Sequence, residues 1–464
     1  MAETGGRDLE IPGLDLSAPR RIHIVGIGGA GMSAIALLLA RMGNDVSGSD
    51  IKDSSVLARL EAAGVAVQRG NHADNVPAFA DAVVYSTAVP RSNPELVAAR
   101  ERGLTVLHRA AALAAVAATR RTIAVAGSHG KTTTSSMLAL ILRAAGWDPS
   151  FVIGADVNEV GANAAHGSGE WLVVEADESD GTFLHLPAEA AIVTSLEPDH
   201  LDHYGDFEAL VRAFDEFVDA VPGPIVASAD DAGSRAIAGA RPRVRTYGAH
   251  ADAHYRVHDY RTVADGCTFT LVGDGVELGE LAVPLGVKAA TNAAGATALA
   301  LEIGVAFPDA ARALRGFAGV ARRFQFRGTR DGITFVDDYA HLPGEVAAAI
   351  ATAREAGWKR VVVVFQPHRY SRTRSLGHDF ADAFAGADVV VVTDVYAAGE
   401  RPIAGVSGRL VATAVTTRHP DLAVHYVPSM TDLADLPTRF AGAGDLVLTL
   451  GAGDLTTMPD VWLA

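Results

Sequence analysis

Short apolar runs alternate with longer amphipathic stretches along almost the whole chain. Runs such as Arg21–Val25 and Thr122–Val125 are typical of buried strands, and each precedes a glycine-bearing turn and a helical stretch. The alternation resumes at Ile333–Asp338 and continues through Arg360–Phe365 to Asp445–Leu450. This order predicts an α/β protein with mostly parallel sheets covered by helices on both faces.

Three restarts of this pattern within 464 residues predict three domains. We place them at residues 1–119, 120–324 and 325–464. The first boundary lies at the end of the alanine-rich segment Ala110–Thr119, and the second lies within Gly319–Gly328. Short alternating runs between about Arg241 and Val287 predict a β-rich part of the middle domain.

Charge and composition exclude several classes of function. The net charge of −16 argues against nucleic acid or anionic membranes as nonspecific partners. No apolar run reaches the roughly 18 residues of a membrane span, and the first residues lack the pattern of a signal peptide. Cys267 is the only cysteine, which excludes an internal disulfide and a multi-cysteine metal site. Together these features predict a cytoplasmic protein with no membrane partner.

The turn after Thr122–Val125 has the composition of a phosphate-binding loop. It reads Gly127-Ser128-His129-Gly130-Lys131-Thr132-Thr133 and leads into a helix. Such a turn directs backbone N–H groups and a helix N-terminus toward a polyphosphate. Only four of the 39 basic residues are lysines, so a lysine kept here indicates that a compact ammonium is required. The turn departs from the strict P-loop pattern at Val125, and we interpret it as a variant nucleoside triphosphate site rather than a turn with a surface lysine.

A second glycine turn, Gly26-Ile27-Gly28-Gly29-Ala30-Gly31, follows the first strand, and Asp50 ends the next strand. This pattern is typical of a dinucleotide site, with NAD as the first expectation and a turn without ligand as the alternative. The later phosphate turn weakens the NAD interpretation. One chain with two nucleotide sites is more naturally a ligase or kinase acting on a nucleotide-linked substrate. Ser86 and Thr87 follow another strand and could line the same crevice.

Carboxylates and histidines follow two later strands. Glu175 and Asp177 end one strand, and Asp199 and His200 follow the next, which we predict at Ala191–Leu196. Magnesium takes one or two carboxylates together with phosphate oxygens, and a threonine hydroxyl from the phosphate turn could join them. Imidazole is a less usual ligand for Mg²⁺. His200 is therefore either a residue that contacts the metal ligands without binding the metal, or a ligand of a second metal ion. A solvated acidic loop is the alternative, and the lack of a paired-histidine helix disfavours a zinc hydrolase.

The segment Phe365–Arg374 leaves an apolar strand and carries His368, Arg369, Arg372 and Arg374. Such a cluster at the end of a strand suits the recognition of a carboxylate or phosphate, and a solvated basic face is the alternative.

Taken together, these motifs closely resemble the Mur ligase family, in the same order and over nearly the whole chain. The matching segments are Ile24–Ser33, Gly127–Thr134, Glu175–Asp180, Asp199–His200, Arg322–Phe324, Asp337–His341, Gln366–Arg374 and Asp394–Glu400. The first and the seventh are most similar to the members that add L-alanine.

The resemblance implies a Rossmann-like N-terminal domain for a UDP-linked substrate and a central P-loop-type ATPase domain. It also implies a C-terminal Rossmann-like domain that closes on the amino acid. The implied reaction uses ATP and Mg²⁺ to join L-alanine to UDP-N-acetylmuramate through an acyl phosphate. The oligomeric state stays open between monomer and homodimer.

By motif position, the resemblance implies a role for each candidate residue. The catalytic candidates are Lys131, Glu175, His200, Arg323 and His341. The nucleotide-binding candidates are Gly127, Ser128, His129, Gly130, Lys131, Thr132, Thr133, Asn292, Arg323, Asp337 and Asp338. The substrate-binding candidates are Gly28, Gly29, Ala30, Gly31, Met32, Ser33, Asp50, Ser86, Thr87, His368, Arg369 and Arg372. The metal-binding candidates are Thr132 or Thr133 for a first Mg²⁺, with Glu175 and His200 for a second.

Two departures from the family pattern stand out. Lys288 and Ala289 replace a histidine and an asparagine, so Lys288 is a candidate phosphate contact, and Leu342 replaces a second histidine. Three other functions remain open: a ligase that adds a preformed peptide, an NAD-dependent dehydrogenase, and a silent nucleotide-binding regulator. The general base is undecided between His200 and His341.

Overall fold

A computed structural model describes residues 13–263, 266–283 and 287–464. These residues form three sheets in two compact units. The first unit contains residues 13–260, 268–283 and 289–318, and the second contains residues 319–464 with the remaining described residues between 261 and 288. The predicted α/β class with mostly parallel sheets is confirmed. The predicted domain boundaries at 119/120 and 324/325 stay predictions.

The first sheet is parallel and has the order β3-β2-β1-β4-β5. Its strands are β1 (Arg21–Val25), β2 (Asp45–Asp50), β3 (Ala66–Arg69), β4 (Ala82–Tyr85) and β5 (Thr105–His108). Its helices are α1 (Ala30–Arg41), α2 (Ser55–Ala62), α3 (Pro94–Glu101) and α4 (Arg109–Ala117). The order reverses between β1 and β4, and ligands bind at the carboxyl ends of strands at such a switch point.

The middle sheet has ten strands. They are β6 (Arg121–Ala126), β7 (Ser150–Val157), β8 (Ala162–Ala165), β9 (Trp171–Glu175), β10 (Ala188–Val193), β11 (Ile225–Ser228), β12 (Val244–Gly248), β13 (Tyr255–Val263), β14 (Gly266–Gly273) and β15 (Val276–Val283). The sheet has the order β15-β14-β13-β12-β11-β10-β6-β9-β7-β8. Four strands between Val244 and Val283 confirm the predicted β-rich segment.

Six helices accompany this sheet: α5 (Lys131–Ala144), α6 (Leu201–Tyr204), α7 (Phe207–Ala220), α8 (Ala232–Gly239), α9 (Val287–Glu302) and α10 (Phe307–Arg315). Helix α7 begins where Asp206 accepts a hydrogen bond from the Ala209 amide at 2.7 Å, which satisfies one of the unpaired N–H groups of its first turn. No described helix is long and apolar enough to cross a membrane.

One buried hydrophobic cluster contains residues of both the first and the middle sheet. Ile22 and Val84 of the first sheet belong to the same buried cluster as Leu172 and Val174 of the middle sheet. Most of the alanine-rich segment at the first predicted boundary is helix α4, and its Ala111, Ala112 and Ala117 belong to that cluster. Alanine side chains are small and let a helix pack closely. The shared buried cluster places the first and middle sheets in one compact unit.

The second unit is built on six strands in the order β16-β17-β21-β18-β19-β20. They are β16 (Gln325–Arg330), β17 (Ile333–Asp338), β18 (Val361–Phe365), β19 (Val389–Val392), β20 (Ala423–Tyr426) and β21 (Leu446–Leu450). The helices are α11 (Pro343–Glu355), α12 (Tyr370–Leu376), α13 (Arg409–Arg418), α14 (Leu436–Phe440) and α15 (Met458–Leu463). Only the pairing of β16 with β17 is antiparallel, and β18 is fully buried because helices cover both faces.

Candidate active site

The phosphate turn joins β6 to α5 and packs against the segment after β10. Gly127 and Gly130 have φ values of 135° and 83°, in the left-handed region that favours glycine. The amides of Ser128 and His129 donate to the carbonyl and hydroxyl of Ser195 at 3.0 and 2.8 Å. These bonds fix the turn ahead of the helix N-terminus, where backbone N–H groups can donate hydrogen bonds to a phosphate.

Lys131 lies at the first position of α5 and is almost enclosed. Its ammonium donates to the carbonyl oxygen of Gly127 at 2.6 Å and to Oε1 of Glu178 at 2.9 Å. Burial alone would lower the pKa of Lys131, but the carboxylates of Glu178 and Glu175 raise it overall. The side chain therefore stays charged beside the turn, as a phosphate ligand requires.

Glu178 was missed by the sequence reasoning. Its side chain is 1% exposed, and its Oε2 atom has no hydrogen-bond partner, while burial raises the pKa of its carboxyl. The acidic run Glu175–Asp180 directly after a buried strand was the available signal. The run does not reveal which of its carboxylates meets the lysine.

Glu175 lies at the end of β9 and contacts the phosphate turn. Its Oε1 accepts a hydrogen bond from the Thr132 hydroxyl at 2.8 Å, and its Oε2 accepts one from the Gly154 amide at 2.6 Å. Of the two threonines left open by the sequence, Thr132 is the one that the structure brings to Glu175, while Thr133 is half-buried in the same turn. A hydroxyl and a carboxylate beside a phosphate turn are oxygen donors of the kind that Mg²⁺ prefers.

His200 lies near a different carboxylate. Its Nε2 is 3.7 Å from Oε1 of Glu178 and 3.4 Å from Oδ2 of Asp199, and its backbone φ of 54° directs the chain into α6. Within the described ranges, no group of three or more His, Cys, Asp or Glu side chains is arranged to hold a metal. The residues fit a magnesium ion that takes most of its ligands from phosphate and water, and the roles of Glu175 and His200 as metal ligands stay predictions.

Asn292 on α9 is placed at the phosphate turn. A Cβ atom added at Gly130 would lie 2.7 Å from its Oδ1, so the amide lies against the start of α5. Ala289 is buried in the same helix. The side chain of Lys288 lies outside the described residues, and its predicted phosphate contact stays a prediction.

The first glycine turn is closed by Asp50. Oδ2 of Asp50 accepts a hydrogen bond from the Gly28 amide at 2.9 Å, and its Oδ1 accepts one from the Lys52 amide at 2.9 Å. The carboxylate expected on a ribose in the NAD interpretation is thus engaged with the turn itself. Gly29, Ala30 and Gly31 are exposed, whereas Met32 and Ser33 are buried behind them.

The loop after β4 lies beside this turn, and the predicted substrate contacts of Ser86 and Thr87 stay predictions. A Cβ atom at Gly26 would be 3.3 Å from the Val89 side chain, and the Val89 amide donates to the Ser86 carbonyl at 3.0 Å. Ser86 is half-buried and Thr87 is exposed on this loop.

In the second unit, the two aspartates at the end of β17 are tied to their surroundings. Asp337 accepts hydrogen bonds from the hydroxyls of Thr449 and Thr456. Asp338 accepts bonds from the amides of Phe324 and Ala340 at 2.7 and 2.8 Å. These contacts hold the strand end in place, and the predicted nucleotide contacts of both aspartates stay predictions.

Burial raises the pKa of Asp338 to about 6, against the opposing effect of Arg323. A folded-state pKa above the unfolded value means that the native protein keeps a proton that the unfolded chain releases. We therefore expect this group to reduce stability progressively as the pH rises from about 4 to about 6, by up to about 3 kcal/mol. Thermal unfolding midpoints across that range should fall relative to those of Asp338→Asn, and parallel curves for the two proteins would contradict the expectation.

The basic segment and His341 form an aromatic and imidazole cluster. The rings of His341 and His368 meet edge to face at 5.6 Å, and Tyr396 stacks on His368 at 5.8 Å. Burial, followed by His341 and Arg372, lowers the pKa of His368 to about 4, and burial also lowers the pKa of His341. Both imidazoles are therefore neutral at neutral pH, a state in which they can accept a proton.

Arg369 precedes α12, and Arg372 lies in the first turn of this helix. Arg369 has a φ of 67°, and Nη1 of Arg372 is 3.3 Å from Nδ1 of His368. Glu400, in one of the quoted motifs, accepts a hydrogen bond from the Ser371 amide at 2.9 Å and so caps α12. Arg323 lies on the face of the Tyr339 ring, 5.3 Å from its centre.

The sequence of the chain places it in a known class of enzymes. It belongs to the Mur ligase family: residues 21–121 match the catalytic domain of that family, residues 125–300 its middle domain and residues 322–453 its glutamate ligase domain. The resemblance predicted from the motifs is thereby confirmed.

Particular relatives narrow the class. The chain is 47% identical to a UDP-N-acetylmuramate–L-alanine ligase of Saccharopolyspora erythraea, over 98% of this chain and 95% of the relative. A ligase of the same name from Paenarthrobacter aurescens is 47% identical over 94% and 95% of the two chains. The solved UDP-N-acetylmuramate–alanine ligase of Thermotoga maritima has 28% identity and a TM-score of 0.82, covering 96% of this chain and 98% of its own. A murein peptide ligase of Psychrobacter arcticus has 26% identity and a TM-score of 0.70 over the same shares.

Proposed function

We propose that this chain is an ATP-dependent ligase that joins L-alanine to the lactoyl carboxylate of UDP-N-acetylmuramate, in the synthesis of peptidoglycan precursors. The observation that carries the proposal is the 47% identity, over 98% of the chain, to a relative of that name. The geometry supports it, because one compact unit carries both a triphosphate-type turn with Lys131 and a second glycine turn for a nucleotide-linked substrate.

The proposed reaction has two steps. The substrate carboxylate attacks the γ-phosphoryl group of ATP, which gives ADP and an acyl phosphate. The amine of L-alanine then attacks the acyl carbon, and phosphate leaves as the amide forms. Carboxylate and triphosphate repel one another, so the ammonium of Lys131 and the amides of the turn stabilise the charge that accumulates between them.

The alanine amine must lose a proton during the second step. The rings of His341 and His368 are in contact, their lowered pKa values favour the neutral form, and Arg372 lies beside His368. This arrangement suits recognition of an amino-acid carboxylate beside a proton acceptor. His200 remains the alternative base, next to Glu178.

Mg²⁺ belongs to this proposal because the donors at the phosphate turn suit it. When bound, it would offset the charge of the phosphates, with Thr132 and Glu175 as the protein groups that hold it. A cytoplasmic location and a monomeric or homodimeric state are further predictions.

We expect Glu175→Gln to raise the Mg²⁺ concentration needed for half-maximal turnover by roughly tenfold or more, since an amide is a weaker ligand than a carboxylate. Glu189→Gln is the matched control, because Glu189 pairs with Arg121 on the surface. Titration of Mg²⁺ at saturating ATP measures the effect, and an unchanged requirement in Glu175→Gln would remove Glu175 from the metal site.

Incubation with ATP, UDP-N-acetylmuramate and either L-alanine or a preformed peptide tests the function. ADP release that depends on L-alanine supports the proposal. ADP release with the peptide but not with L-alanine would favour the second candidate, a peptide-adding ligase. The likeness to the murein peptide ligase of Psychrobacter arcticus is the observation that supports this candidate. Tight NADH binding without any ADP release would favour a dehydrogenase.

A further inference from the structure

Arg109 lies beside the first glycine turn and contacts the acidic loop after β9. It is the first residue of α4, directly after β5, at the same edge of the first sheet as the glycine turn that follows β1. A Cβ atom added at Gly31 would lie 3.9 Å from its Nη1. By position, therefore, Arg109 belongs to the part of the chain that is expected to hold the UDP-linked substrate.

The polar contacts of Arg109 are instead with the acidic loop after β9, in the part of the chain that is expected to bind ATP. Its Nη2 donates to Oδ2 of Asp180 at 2.9 Å and to Oδ2 of Asp177 at 3.2 Å. The arginine side chain is only 21% exposed, so solvent screens these charges less than it would at the surface. Hydrogen bonds between charged groups of this kind are stronger than neutral ones.

The loop that Arg109 grips is the loop that meets Lys131. Between the two aspartates lies Glu178, whose Oε1 accepts the hydrogen bond from the Lys131 ammonium at 2.9 Å. On the other side, the Tyr204 hydroxyl donates to the backbone carbonyl of Glu178 at 2.6 Å. Three carboxylates within four residues repel one another, and Arg109 offsets two of them.

We propose that Arg109 is a positioning residue for the ATP site: it holds the acidic loop Asp177–Asp180 and, through Glu178, the ammonium of Lys131. The first part of the chain thus supplies a residue that serves nucleotide binding in the middle part. This inference rests on the proposed function only in taking ATP as the ligand of the phosphate turn.

A double-mutant cycle on Arg109 and Asp180 tests the proposal. The variants are Arg109→Met, which keeps the length of the side chain, Asp180→Asn, which keeps the acceptor for Thr182, and the combination of both. Calorimetry with a non-hydrolysable ATP analogue and Mg²⁺, without UDP-substrate, measures nucleotide binding directly. Each single variant should weaken binding by about tenfold, and the double variant should be no weaker than the worse single.

Affinity for UDP-N-acetylmuramate, measured in the same way, should change by no more than about twofold. A loss confined to the UDP-substrate, or losses that add fully in the double variant, would overturn the proposal. Should Arg109→Met fail to fold, Arg109→Lys replaces it, since lysine keeps the charge without the planar fork. If Arg109→Lys and Asp180→Asn then both bind the ATP analogue as tightly as the unmodified protein does, the proposal is overturned.

Arg59 provides a matched control. Its Nη1 is 3.0 Å from Oδ2 of Asp156, so this pair also joins a helix of the first sheet to a strand of the middle sheet, but it does not touch the acidic loop. Arg59→Met and Asp156→Asn should leave the affinity for the ATP analogue unchanged. If these variants lose as much affinity as the Arg109 variants, Arg109 has no specific role and acts only as one of several contacts between the two sheets. A native protein that binds no ATP analogue would instead refute the proposed function.

Discussion

Replacement of Lys131 with alanine is expected to reduce turnover by a factor on the order of 10³ or more, while UDP-N-acetylmuramate still binds. The ammonium is the cation at the phosphate turn, where it bonds the Gly127 carbonyl and Glu178. Without it, the negative charge shared between carboxylate and γ-phosphoryl group loses a compensating cation. Glu178 is left buried without its partner, which adds a repulsive charge to the same place.

Arginine is not expected to rescue the variant. The Lys131 side chain is only 14% exposed and its Nζ lies 2.6 Å from a backbone carbonyl, so the site has no room for a guanidinium. Steady-state ADP release measures turnover, and calorimetry measures the affinity for UDP-substrate. Lys359→Ala, in the second unit, is the lysine control. A loss of UDP-substrate affinity as large as the loss of turnover would contradict the separate roles of the two turns.

Gly127→Ala is expected to lower turnover by about two orders of magnitude, because misplacing a reacting group by about 1 Å can cost that much. A Cβ atom at this position would overlap the Thr194 hydroxyl and would lie 2.8 Å from the backbone of Ser195. Its φ of 135° adds backbone strain for any other residue. The turn would have to move away from the segment that holds it, and its amides would move with it.

Gly146→Ala is the control that separates the effect of backbone strain from the effect of displacing the phosphate turn. Gly146 follows the C-terminus of the same helix, has a φ of 79°, and has no atom within 4 Å of an added Cβ. This control should lose about 1 kcal/mol of stability, since a left-handed residue other than glycine costs that much, and it should keep its turnover. Measurement of kcat and of thermal unfolding for both variants decides the point, and near-native turnover in Gly127→Ala would refute the packing argument.

The strands of the first and second units were predictable because their apolar runs are long and bounded by turns. Arg21–Val25 and Ile333–Asp338 are strands with the predicted limits. The strand predicted as Ala191–Leu196 instead ends at Val193, since Thr194 and Ser195 turn toward the phosphate turn and bond it. A threonine or serine after an apolar run can either extend the strand or leave it to hold a neighbouring loop, and the sequence pattern does not distinguish the two.

The candidate site was predicted in part. The motifs gave Lys131, Glu175 and Asp50, but they gave neither Glu178 as the partner of Lys131 nor Arg109 as the residue gripping the acidic loop. Lys131 and Glu178 are 47 residues apart in the sequence. Arg109 is 68 residues from Asp177 and 71 residues from Asp180. Nothing in the local pattern at Arg109, an arginine before an alanine-rich stretch, points to a carboxylate so far along the chain.

By itself, the sequence determined the α/β class, the two glycine turns, their separation along the chain and the family, because local spacing and residue type carry these features. The tertiary structure decided which charges meet: Glu178 with Lys131, Asp50 with the Gly28 amide, and Arg109 with Asp177 and Asp180. It also merged the first and middle sheets into one unit through a continuous buried core. The reason is physical, since the energy of a charge depends on distance and burial, and both are set only once the sheets have packed.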